Sequence, residues 1–260
     1  MGVGLIGGSL GLAIKKRKLA KEVIGFVRRG KTARLALQKK AVDRVSQDLK
    51  HAIHDADLII LSSPVSAIIQ HLRVIRHGIK PSALVMDVGS SKAKIDQAAK
   101  KYLGKTTFIG CHPVAGSEKF GVNFSHAGLF VDTTCFMTRR NLRIEKFWRA
   151  LGARPILITA KAHDKWAAQS SHLPHIISFA LFQNFPHHKN KVANPSIRDL
   201  ARLSKSNPKL WADILLSNRQ EILPALDSFR ANLGRWHRAI NGDRLSEIIN
   251  FIQEAKKHSL

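Results

Sequence analysis

Short apolar runs and longer amphipathic stretches alternate over the first 160 residues. Val23–Val27, Leu58–Leu61, Leu84–Asp87, Phe108–Gly110 and Cys135–Met137 are runs rich in β-branched and other apolar residues. Runs of this kind predict strands buried on both faces of a parallel sheet. Between them lie Ser9–Lys18, Thr32–Lys40, Val65–Arg76 and Lys92–Tyr102, each long enough for a helix, and Leu142–Leu151 and Pro155–Ile158 add a last helix and strand. The alternation predicts a doubly wound, Rossmann-like α/β domain.

From Lys161 onward the spacing becomes helical, interrupted by loops at Pro186–Pro195, Asn207–Pro208 and Asn241–Asp243. Leu226, Phe229, Leu233, Trp236 and Ile240 recur at spacings of 3, 4, 3 and 4, which is an a/d seam. A second stripe follows at Leu245, Ile248, Ile249 and Ile252. Such helices predict an all-α bundle whose seams close within the chain or across a homodimer. The expected division is a dinucleotide-binding domain at 1–160 and a helical substrate and dimerisation domain at 161–260.

Composition narrows the class. With 44% apolar and 23% charged residues over 260 positions, the chain can bury a core and is not of the disordered type. No apolar run reaches the ~18–20 residues of a membrane span, and no secretory leader is visible. Two cysteines supply neither a disulfide framework nor a zinc set, which points to a reducing cytoplasm. Lys+Arg number 43 against 18 Asp+Glu, a net charge of +25, and such a field favours anionic partners. The densest cluster is Lys15–Lys18 with Lys21. These basics are not interleaved with exposed aromatics, so nucleic acid is not the expected partner, and most of the charge reads as solvated surface.

Gly2-Val3-Gly4-Leu5-Ile6-Gly7 matches G-x-G-x-x-G, with Ser9 placed to cap the following helix. The first glycine allows a tight turn, the second a close approach of pyrophosphate, the third close packing of the helix, and the phosphates then meet a helix N-terminus. The fingerprint normally follows a strand, whereas only Met1 precedes it here. The expectation is a start about six to eight residues inside the domain, one strand's length. The second strand should end on an acid that binds the NAD ribose, or near an Arg that accepts the 2′-phosphate of NADP. Val27 is followed by Arg28 and Arg29, which predicts NADP over NAD.

Three more segments end strands on the ligand side of such a sheet: Ser62-Ser63-Pro64-Val65, Asp87–Lys92 and Gly110–Lys119. His112 in the last is placed to act as a base. Cys111 points to the opposite face of an extended segment and reads as core packing. His172 and His175 lack a third ligand nearby, so no metal site is expected. Arg198 and Arg202 lie four apart on one helix face, a carboxylate fork or a salt bridge with Asp199.

Taken in order, G-V-G-L-I-G-G-S-L, D-V-G-S-S-K, G-C-H-P-V-A-G-S-E-K, S-H-L-P-H and R-D-L-A-R…W-A-D-I-L-L-S-N-R resemble the prephenate/arogenate dehydrogenase family of tyrosine biosynthesis. The resemblance implies oxidative decarboxylation of a cyclohexadienol. It implies His112 as general base on the ring hydroxyl, with Ser90 hydrogen-bonding near it. It implies Arg202 on a substrate carboxylate, Asp199 and Trp211 beside it, and His175, His172 and Glu118 at the substrate side-chain end. Ser63 and Pro64 would contact the nicotinamide half of the cofactor. The sequence departs from the family pattern at Ser196-Ile197 and Ala201 and in the basic pair after the second strand. No C-terminal regulatory domain is expected after Leu260. Prephenate and arogenate both fit. The competing expectations are a β-hydroxyacid dehydrogenase, against which the H-P-V-A-G-S-E loop argues, and a basic nucleic-acid-binding or inactive truncated protein.

Overall fold

In a computed structural model, which describes residues 1–27, 30–104, 107–116, 119–184 and 195–258, the predicted alternation becomes a layered α/β unit. Its strands are β1 (Ile24–Phe26), β2 (Arg44–Ser46), β3 (Leu58–Leu61), β4 (Leu84–Asp87), β5 (Phe108–Pro113), β6 (Thr134–Met137) and β7 (Arg154–Leu157). The interleaved helices are α1 (Leu5–Lys16), α2 (Gly30–Gln38), α3 (Leu49–Ile53), α4 (Val65–Ile75), α5 (Ala93–Leu103) and α6 (Leu142–Ala150). β3, β4 and β5 run parallel, but β6 returns antiparallel to β5, so the sheet is mixed where an all-parallel one was expected. Among its described residues the β5–β6 connection holds only a three-residue 3-10 turn at Val122–Phe124, where a helical crossover would have been needed for a parallel partner. β2 and α3, not anticipated, are three and five residues long.

The apolar runs serve two cores because alternate strand residues face opposite sides. Met86, Ile109 and Cys111 pack with Leu10, Phe130 and Trp148 on one face. Ile59, Leu61, Val85 and Phe108 pack with Ile68, Leu72 and Ile95 on the other. β7, the last short strand, is largely exposed at the edge of the sheet. Ladder bonds form two groups, β1–β2 and β3–β7. Met1 and Gly2 bridge them: Gly2 N donates to Phe26 O (3.2 Å), Met1 N to Ile60 O (2.6 Å) and Ser62 N to Met1 O (2.8 Å).

Past β7 the described chain is helical: α7 (Ala160–Ala167), α8 (Leu173–Gln183), α9 (Pro195–Ser204), α10 (Pro208–Ser217), α11 (Arg219–Asn241) and α12 (Leu245–Lys257). A five-residue π turn, Ala168–His172, joins α7 to α8 without a break. It carries the rod through Pro174 at the start of α8, where the widened turn accommodates a residue that has no N–H to donate. The seam on α11 is only partly closed. Trp236 packs on Phe251 of α12 at 5.3 Å, while Leu233, Ile240, Leu245, Ile249 and Ile252 are exposed. Among the described residues no helix is long and apolar enough to cross a membrane.

Candidate active site

The glycine loop turns on Gly2, at φ +91°, a backbone region open to glycine and strained for side-chain-bearing residues. α1 therefore starts at Leu5, four residues before the expected cap. Ser9 lies inside the helix, fully buried, and its hydroxyl accepts from His126 N (3.0 Å) instead of capping. Gly4 is the N-cap and no side chain bonds the first turn, so its N–H groups are free for an anion. A Cβ on Gly4 would meet nothing within 4 Å, whereas one on Gly7 would lie 2.0 Å from Gly2 O and 2.6 Å from Ser62 Oγ. Ser62 Oγ donates to the carbonyls of Met1 (3.0 Å) and Gly2 (2.8 Å), and Ser63 Oγ reaches Met1 O at 3.5 Å. Pro64 opens α4 beside them. Gly2, Gly4, Leu5, Ile6 and Gly7 thus form an open backbone cradle that fits a dinucleotide pyrophosphate. Arg28, Arg29 and Glu118 lie outside the described residues.

His112 is half-buried near the end of β5. Its Nδ1 is 2.8 Å from His163 Nε2, and His163 Nδ1 is 2.8 Å from Asp164 Oδ1. The carboxylate is acceptor-only, so His163 donates to it from Nδ1 and accepts from His112 at Nε2. His112 then carries its proton on Nδ1, and its Nε2 holds a free lone pair. Burial first, then the His163, Lys92 and His172 charges, hold the His112 pKa well below the ordinary histidine value. Asp164 is itself clamped: it accepts from Lys92 N (2.6 Å) and Ala93 N (2.8 Å) at the start of α5. Phe136 and Trp166 wall the His163 ring at 5.6 and 6.2 Å. Ser90 lies half-buried in the 88–92 turn, where its neighbour Ser91 bonds Ser217 (2.8 Å).

A second group gathers on the helical side. The His175 and Trp211 rings stack at 3.5 Å, and His172 meets the same indole edge-on at 6.0 Å. His175 Nδ1 donates to Ser171 O (2.8 Å), a carbonyl in the π turn. Burial and the Arg202 cation lower the His175 pKa against that bond, which raises it. His172 Nδ1 accepts from Asn218 Nδ2 (3.1 Å), which also donates to Asp164 O (2.8 Å), and burial pulls the His172 pKa down to about 4. Arg202 and Asp199 are exposed on α9, and neither forms an ion pair among the described residues. His172, His175, Trp211 and Arg202 are thus brought together. Among the described residues no three His, Cys, Asp or Glu converge to hold a metal.

His163, Asp164, Lys92 and Asn218 were missing from the expected site. The adjacent His-Asp pair at the start of a helix capped by Thr159 was the available signal, since both residues are buried there and burial of such groups demands partners.

The family model described as "Prephenate dehydrogenase, nucleotide-binding domain" matches residues 10–156, and "Prephenate dehydrogenase, dimerization domain" matches 159–254. A prephenate dehydrogenase of Lactococcus lactis subsp. cremoris is 32% identical, covering 99% of this chain and 75% of its own length. A cyclohexadienyl dehydrogenase of Zymomonas mobilis is 32% identical over 82% of this chain and 79% of its own. The crystal structure of prephenate dehydrogenase from A. aeolicus, in complex with hydroxyphenyl propionate and NAD+, superposes with a TM-score of 0.89. It is 25% identical and covers 98% of this chain and 94% of its own.

Proposed function

Because the chain belongs to the prephenate dehydrogenase family, we propose that it oxidises and decarboxylates a cyclohexadienol, prephenate or arogenate. The products are 4-hydroxyphenylpyruvate or tyrosine. The observation that carries this reading is the hydrogen-bonded series Asp164–His163–His112, which leaves His112 Nε2 unprotonated and ready to take the proton of the ring hydroxyl. A bound nicotinamide supplies the acceptor for the hydride leaving the hydroxyl-bearing carbon. As that carbon becomes a carbonyl, the C–CO2 bond at the quaternary carbon breaks, its electron pair enters the ring, and the carbonyl oxygen regains a proton as the phenol. Asp164, through His163, stabilises the imidazolium that forms on His112. Ser90 hydrogen-bonds the same hydroxyl. Arg202 binds a substrate carboxylate, with Trp211, His175, His172, Asp199 and Glu118 along the side-chain end. Formation of reduced cofactor with prephenate and with arogenate, side by side, tests the reading; no turnover with either refutes it.

Arg202→Ala should raise KM by on the order of tenfold to a hundredfold, with kcat changing less, since a charged hydrogen bond to substrate is lost. An unchanged KM removes the carboxylate contact.

The cradle takes either dinucleotide; we assign preference for NADP to Arg28 and Arg29, where an acid would otherwise bind the ribose. Replacing both with Asp and Ala should shift the NADP-to-NAD ratio of kcat/KM toward NAD by about tenfold or more. A wild-type protein that already prefers NAD overturns the assignment. The exposed apolar residues of α11 and α12 support a homodimer, read by light scattering.

A further inference from the structure

Lys92 takes no part in the chemistry above, yet it is 1% exposed at the start of α5. A buried lysine is costly unless paired, and an apolar residue of similar volume would fill the space at less cost. Its Nζ bonds Asp87 Oδ2 and donates to Cys111 O (2.7 Å). Asp87 Oδ2 also accepts from Gly89 N (2.7 Å), closing the 87–92 turn on itself. The backbone N of the same lysine donates to Asp164 Oδ1 (2.6 Å). The bonds therefore form a ring: Lys92 Nζ to the Cys111 carbonyl, across the peptide to His112, to His163, to Asp164 and back to Lys92 N.

We propose that Lys92 is a positioning residue for the His112 base: one end pins the peptide that carries the ring, the other pins the carboxylate that orients it. This rests on His112 being the base. An apolar residue at 92 would keep the backbone bond to Asp164 but lose the one that pins the Cys111 carbonyl, and a cation fixed behind β5 also disfavours a proton on His112. The other groups facing His112 are His163 and Asp164 from α7 and His172 from the π turn, while Asp87 from β4 and the Cys135 thiol lie by Lys92. Burial holds the Cys135 thiol uncharged, and it pushes the Asp87 carboxyl up while Lys92 draws it down.

The base must be unprotonated, so activity falls as pH drops through the His112 pKa. Removing the cation raises that pKa and moves the acid limb of kcat/KM to higher pH. The test pairs Lys92→Met/Asp87→Asn, which removes both charges, with Asp87→Asn alone, which keeps the lysine but takes away its counter-charge. The acid limb should rise by about one unit or more in the double variant and move to lower pH in Asp87→Asn alone, where the cation is left uncompensated, and the plateau kcat of the double variant should fall by about tenfold or more from lost orientation. Cofactor affinity should stay at the wild-type level. A folded variant with the wild-type acid limb and plateau overturns the proposal. Histidine-selective 15N NMR of the wild-type protein supplies a reading that needs no variant to fold. His112 should show a bare Nε2 and stay neutral to lower pH than an exposed histidine, and titration like an exposed histidine overturns the proposal. Because NMR needs no turnover, it answers even if neither prephenate nor arogenate is oxidised.

Discussion

His112→Asn is expected to lower kcat by about 10²–10⁴, the usual worth of a positioned general base. The substitution is chosen to isolate that loss. An asparagine amide can still donate to His163 Nε2, where the His112 ring now bonds at 2.8 Å, so Asp164 and its contacts to α5 keep their partners. What disappears is the unprotonated Nε2 and with it any group to take the hydroxyl proton. KM and cofactor affinity should change little, because the lost interaction belongs to the transition state. Steady-state kinetics with the better of the two substrates, alongside a thermal melt to show an intact fold, checks this. Near-wild-type turnover removes His112 from the chemistry.

Gly7→Ala should weaken cofactor binding by about a hundredfold, the scale of a 1 Å misplacement, and should also lower Tm. The added methyl would stand 2.0 Å from a backbone oxygen and 2.6 Å from Ser62 Oγ. A hydroxyl can rotate away, but Gly2 O cannot move without the loop that holds it between Phe26 and Ser62. Either the loop or α1 must shift, and both form the pyrophosphate cradle. Gly4→Ala gives the matched control, since its methyl meets open space. That variant should melt like the wild type while losing cofactor affinity, because the methyl enters the space a pyrophosphate needs. Fluorescence titration with NADPH and thermal melts separate the two. Equal cofactor affinity in all three proteins would place the dinucleotide elsewhere.

Strand and helix order was legible because the apolar runs are long and end in turn residues, as at Leu58–Leu61 before Ser62-Ser63-Pro64. The direction of β6 was not. Cys135–Met137 reads the same in either direction, and orientation is decided by the connection through 122–124. β2 and α3 escaped notice because three and five residues are too short for a period to emerge. In the site, His112 and the glycine loop announce themselves through local sequence. His163 and Asp164 do not, because their meaning comes from contacts across 51 and 72 positions of chain, to His112 and to Lys92. Ser9 misled because capping residues and buried helix serines look alike until the start of the helix is known.

The π turn at Ala168–His172 makes the pocket depend on helical phase. In a regular α-helix each residue advances about 100° and 1.5 Å. The wide turn holds an added residue, so α8 is out of phase with α7 by about that angle, and this offset lets Asp164 face α5 while His175 faces Trp211. Removing one residue at Gln169 or Ser170 would let the rod run as plain α-helix. α8 would turn by about a quarter circle against the helices it packs on, carrying His175 off the indole while leaving Asp164 where it is. A length change of one residue there would disconnect the base from the substrate end of the pocket without altering any residue of either.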